Sequence, residues 1–163
     1  SQVAFKKNWK RDYNRDQSSL STRVSDQDVL HIKNEVAALL DEVFKEEFSR
    51  NGDSPLVEEL NEGTLVIKPA IINLDVNAPD VRSASRVTTY TEEACEATLF
   101  LELYDGISGE ILARVMDVEV AGDHGYYQWA NRVSNKADAK RMIRKWAKAL
   151  REKFDQAQKN SKG

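Results

Sequence analysis

The sequence predicts an α+β fold: an antiparallel or mixed sheet of about four strands with two helices, in the order strand, helix, strand, strand, strand, helix. Three observations predict it. Apolar residues recur at three-and-four spacing in two separate windows, strict alternation runs from Cys95 to Tyr104, and β-branched runs fill most of the space between. The 163 residues suit one compact domain, 1–163, whose last residues from Gln156 are expected to fray.

Val3-Ala4-Phe5 reads as a short strand opening into a polar loop, Lys6 to Arg15, that carries Trp9 and Tyr13. Ser25 followed by Asp28 makes a capping-box-like start. Val29, Ile32, Val36, Leu39, Leu40, Val43 and Phe44 then follow helical spacing, so the first helix should reach about Phe48 and stop at Asn51-Gly52. Leu65-Val66-Ile67 and Ala70 to Val76 are strand-like, and Pro69 between them, lacking an N–H, predicts an edge position or a bulge. Asn77 to Ser85 reads as a loop. In the next strand Cys95, Ala97, Leu99, Leu101 and Leu103 should face the core, with Glu96, Thr98, Phe100, Glu102 and Tyr104 on the other face. Asp105-Gly106-Ile107-Ser108-Gly109 then turns the chain into Ile111 to Val120, an antiparallel hairpin. Ala121 to Val133 has no period and reads as a loop or irregular crossover. Ser134 or Asn135 should cap the last helix, with Ala139, Ile143, Trp146, Ala147, Leu150 and Phe154 as its apolar stripe.

Composition narrows the function. A net charge of -3 and a pI near 5.5 argue against a dedicated nucleic-acid binder. No apolar run is long enough for a transmembrane helix, and the polar Ser1-Gln2 opening is not that of a signal peptide. Cys95, the single cysteine, excludes an internal disulfide and a Cys-rich zinc site.

Four stretches together carry a resemblance: Val3 to Tyr13 (VAFKKNWKRDY), Ile72 to Asp80 (INLDVNAPD), Glu96 to Asp105 (EATLFLELYD) and Arg144 to Ala147 (RKWA). They resemble an uncharacterised lipoprotein family of proteobacteria, classed as a domain of unknown function. The resemblance implies a domain on the periplasmic side of a bacterial envelope membrane, held by an export signal and a lipid-modified cysteine that this sequence does not contain. It implies a location and no reaction.

The chemistry-bearing residues are few. His31 lies on the less apolar side of the first helix and His124 in a loop, with no spacing that would make them a metal pair. Cys95, on the apolar face of a strand, reads as a small buried hydrophobe with a raised thiol pKa. Asp75, Asp80, Asp117 and Glu119 could converge on a cation or act as acid and base, but nothing in their spacing selects them over solvated or ion-paired carboxylates. No nucleophile elbow, phosphate loop or calcium loop occurs, so no catalytic residue, metal or cofactor is expected.

Two candidate partner surfaces remain. Lys140, Arg144, Lys148 and Arg151 recur at intervals of four, four and three along the last helix, forming either a docking face for anionic lipid, peptidoglycan or an acidic envelope protein, or a stripe paired internally with the acidic strands. Trp9, Tyr13, Tyr126, Tyr127 and Trp129, all in predicted loops, either plug the ends of the sheet or form a binding patch. The leading expectation is a non-catalytic envelope lipoprotein domain that binds or scaffolds another envelope component. The alternatives are a cytoplasmic domain whose basic C-terminal helix binds RNA or an acidic protein, and an enzyme with an unrecognised site.

Overall fold

The computed structural model describes residues 1–50, 55–76, 89–91, 96–120, 128–130 and 132–161. It opens with β1 (Gln2–Phe5), as the apolar stretch predicts. The expected loop after it is instead a helix, α1 (Trp9–Arg15), starting behind Asn8, whose φ of 64° turns the chain sharply. The physical reason lies in the aromatics: Trp9 and Tyr13 are one helical turn apart, and Phe5, Trp9 and Tyr13 stack in series with centroids 4.2 and 5.7 Å apart.

After a 3-10 turn, Leu20–Thr22, the predicted helix forms as α2 (Asp26–Ser49). Its capping box is complete: the Asp28 backbone N–H donates to Ser25 Oγ at 3.1 Å, and the Ser25 N–H donates to Asp28 Oδ2 at 2.8 Å. The expected stop at Asn51-Gly52 lies outside the described residues, as do the 77–85 loop and Cys95.

The two strand-like runs around Pro69 form one continuous strand, β2 (Leu65–Asp75). β1 pairs with it in parallel only from Ala70 onward, so Pro69 sits just past the end of β1, where among the described residues one side of β2 has no strand partner. Asn73, at φ 54°, forms a bulge where the register to both neighbours shifts. The bulge resets the alternation, which is why Ile71 and Leu74, three apart, both reach the core.

Beyond β3 (Thr89–Thr91), β4 (Glu96–Asp105) and β5 (Ile111–Val120) form the predicted antiparallel hairpin. Asp105 Oδ1 accepts from the backbone N–H of Ile107 and of Ser108 at 3.0 and 2.7 Å, tying the turn. Gly106 is held against the chain before β2: its N–H donates to the Thr64 carbonyl at 2.8 Å, and an added Cβ would lie 2.8 Å from that same oxygen. β6 (Gln128–Ala130) pairs with β3, giving part of the expected 121–133 loop a short ribbon. α3 (Arg132–Ser161) begins ahead of Ser134 and Asn135, which lie in its first turn and not at its cap, and it continues past Gln156.

The fold is therefore α+β: a four-stranded mixed sheet in the order β1-β2-β4-β5, with α1, α2 and α3 and the separate β3-β6 ribbon. Ala97, Leu99, Leu101 and Leu103 of β4 are buried, as the alternation predicts, together with Leu40, Val43 and Phe44 of α2 and Ile143, Trp146 and Ala147 of α3. Leu150 and Phe154 pack against that core. The helices' buried side chains and the odd-numbered row of β4 share one cluster, so the even-numbered row faces the opposite side of the sheet.

Candidate interaction surfaces

The cationic stripe of α3 meets α2, not the strands. α2 carries Asp26, Asp28, Glu35, Asp41, Glu42, Glu46 and Glu47 against Lys33 and Lys45. Lys140 Nζ lies 2.7 Å from Glu42 Oε1 and 3.6 Å from Glu46 Oε1, Arg144 lies 3.2 Å from Glu46, and Arg151 Nε lies 3.2 Å from Glu47 Oε1. Lys148 faces Glu152 on its own helix at 3.8 Å. The hydrogen bond from Lys140 holds the Glu42 carboxyl below its ordinary value, and the same contact raises Lys140. The strands take part through other residues: Lys145 pairs with Glu119, and Trp146 Nε1 donates to Asp117 Oδ2 at 2.7 Å.

The aromatic set divides. Trp9 is 6% exposed and donates its indole N–H to the Val76 carbonyl at 3.3 Å, so it is part of the core and presents no partner surface. Tyr13 is half-buried behind it, and that burial raises its pKa. Trp129 lies on β6, while Tyr126 and Tyr127 lie outside the described residues.

The individual chemistry candidates stay apart. His31 sits 3.6 Å from Glu35, Asp75 is bonded to Lys6 at 3.0 Å, and Asp117 and Glu119 are engaged by α3. His124 and Asp80 lie outside the described residues. Among the described residues no three His, Cys, Asp or Glu side chains gather as a metal site would require. No helix among them is long and apolar enough to cross a membrane.

The surface that sequence reasoning passed over is the outer face of the sheet. Opposite the helices, Ile72, Thr98 and Val118 lie in one row across three strands, and Ala70, Phe100 and Met116 in the next. Met116 is 64% exposed and Val118 58%. Beyond them stands a polar array: Glu102 accepts from the Tyr104 hydroxyl at 2.7 Å and from Arg114 Nε at 2.9 Å, while Lys68 Nζ lies 4.2 Å above the Tyr104 ring. These contacts, the Tyr104 hydrogen bond foremost, hold Glu102 below its ordinary pKa, and that same hydrogen bond raises Tyr104. An open groove of about 520 Å³ borders the array where β1 ends, lined by Lys68, Pro69, Phe100, Glu102 and Tyr104 and by Asp41 from α2. The signal was present in the alternation of β4, whose solvent row holds two aromatics, Phe100 and Tyr104.

A family model described as a protein of unknown function (DUF3313) matches residues 11–150, from within α1 to well into α3. The chain belongs to the DUF3313 family. The DUF3313 match takes in three of the four stretches that carry the lipoprotein resemblance and part of the first. The chain is also similar to a crystal structure described as a "putative lipoprotein" from Caulobacter crescentus, at 14% identity over 78% of this chain and 86% of that one, with a TM-score of 0.40. No curated protein matches this DUF3313 chain.

Proposed function

We propose that this chain is a non-catalytic domain of the bacterial cell envelope, lipid-anchored on the periplasmic side, that binds or scaffolds another envelope component through the outer face of its sheet. The observation that supports the surface is the outer row itself. Phe100, Met116 and Val118 form an apolar strip next to a polar array, the composition that interaction surfaces use. The location rests on the lipoprotein resemblance of the four sequence stretches. The α3 stripe is the weaker docking candidate, because RNA or an acidic protein would have to displace the carboxylates of Glu42, Glu46 and Glu47 already set against it.

The test is site-specific crosslinking in the native envelope. A photoreactive residue at Lys68, on the outer face, is expected to trap a discrete envelope component, and one at the exposed Asn34 of α2 is not. Equal labelling from both positions, or none from Lys68, overturns the reading.

A further inference from the structure

We propose that β5 is the pairing edge for a second copy of this chain, joining two sheets antiparallel about a two-fold axis at Met116. The sheet has two edges, and they differ. β1 is only 4 residues long and runs straight into α1, whereas β5 offers 10 residues and, among the described residues, has a neighbour on one side only. A long edge strand is a template for pairing unless lysine, proline, a bulge or inward-pointing charge guards it. β5 contains neither lysine nor proline, and its bulge lies at its beginning, near Leu112. Its inward-pointing acids, Asp117 and Glu119, are held by Trp146 and Lys145 of α3, which removes them as guards.

Register then selects the axis. Because side chains alternate with period two, residues facing each other across a two-fold pair must lie on the same face. The regular ladder runs from Ala113 to Val120, and Met116 and Asp117 lie at its centre. With the axis on Met116, that residue faces its own copy, Arg114 faces Val118 on the outer side, and Val115 and Ala113 face Asp117 and Glu119 on the inner side. No like charges oppose. Centring on Arg114 or Asp117 sets each against itself, and centring on Val115 draws the Leu112 bulge into the ladder. The pairing sets Met116 beside its own copy, leaves the outer face open, and satisfies the outward backbone groups of β5.

The test is the mass of the purified chain by sedimentation from micromolar to millimolar concentration, alongside amide exchange. The expected result is a monomer-dimer equilibrium in which the outward-facing amides within residues 113–119 gain protection as concentration rises. Met116→Lys, which sets two charges on the axis, should raise the dissociation constant by roughly tenfold or more while leaving the monomer folded. A monomer at every concentration overturns the proposal, and so does a dimer that Met116→Lys leaves intact or that gives 113–119 no added protection. The outcome is separable from the crosslinking at Lys68, which reads the opposite end of the outer face and a different partner.

Discussion

Trp9 and Trp146 each bury a large ring and engage the indole N–H, on Val76 and Asp117 respectively. Their legibility differed. Trp146 stood in a periodic stripe, so its burial followed from spacing; Trp9 stood beside lysines and arginines, and only its four-residue separation from Tyr13 hinted at a helix. Seven residues with one aromatic pair give too weak a periodic signal to outweigh the charge around them. The energetic consequence is testable at Trp146, which is 4% exposed. Trp146→Ala should cost about 3 to 5 kcal/mol, because it removes the ring and leaves a cavity between α3 and the sheet. Trp146→Phe keeps most of the packing and loses the bond to Asp117, so it should cost less. Urea midpoints at unchanged slope measure both, and a Trp146→Ala loss below 1 kcal/mol would contradict this packing (roughly a third of the cavity-forming minimum).

Among the elements, the seam between α2 and α3 joins carboxylates and cations about 98 residues apart in sequence. The apolar stripe of α2 marks its start, its cap and its buried face, but no periodicity marks which of its carboxylates meet the α3 cations, for which the strand acids are the nearer partners in sequence. Charges on two helices distant in sequence become partners only once the helices pack side by side. That pairing ties Lys140 and Arg144 to the stability of the helix seam. The double reversal Lys140→Glu with Arg144→Glu sets like charges against Glu42 and Glu46, and the melting temperature should fall. Adding Glu42→Lys and Glu46→Lys should recover part of the loss, and the effect should shrink at high salt. Loss without any recovery would show that the cations act through something other than these pairs.

At the scale of the whole molecule, the element order was legible because hydrophobic periodicity survives in each long segment, while the parallel pairing of β1 was not, because strand direction depends on where α1 and α2 carry the chain. The same assembly sets the response to pH. The contacts on Glu42, Glu102 and Asp105 depress their carboxyls, so the stability they contribute is fully present above the ordinary values of 4.5 and 3.8 and is lost as pH falls through the lowered folded values. Lys140 and Tyr104 are raised, so their contribution is fully present below 10.5 and 10.0 and is lost as pH rises through the folded values. Stability against urea should therefore hold a plateau between the two ranges and fall on both sides. Each limb has contributors on both faces of the sheet. Glu42→Gln, at the helix seam, and Glu102→Gln, on the outer face, should each flatten the acid limb; Glu42→Gln also removes the acceptor that raises Lys140, and Glu102→Gln the carboxylate that raises Tyr104, so each flattens the alkaline limb as well. Lys140→Met should flatten the alkaline limb and, by removing the donor to Glu42, part of the acid one. An acid limb that neither glutamine variant changes would place its origin in carboxylates other than these two.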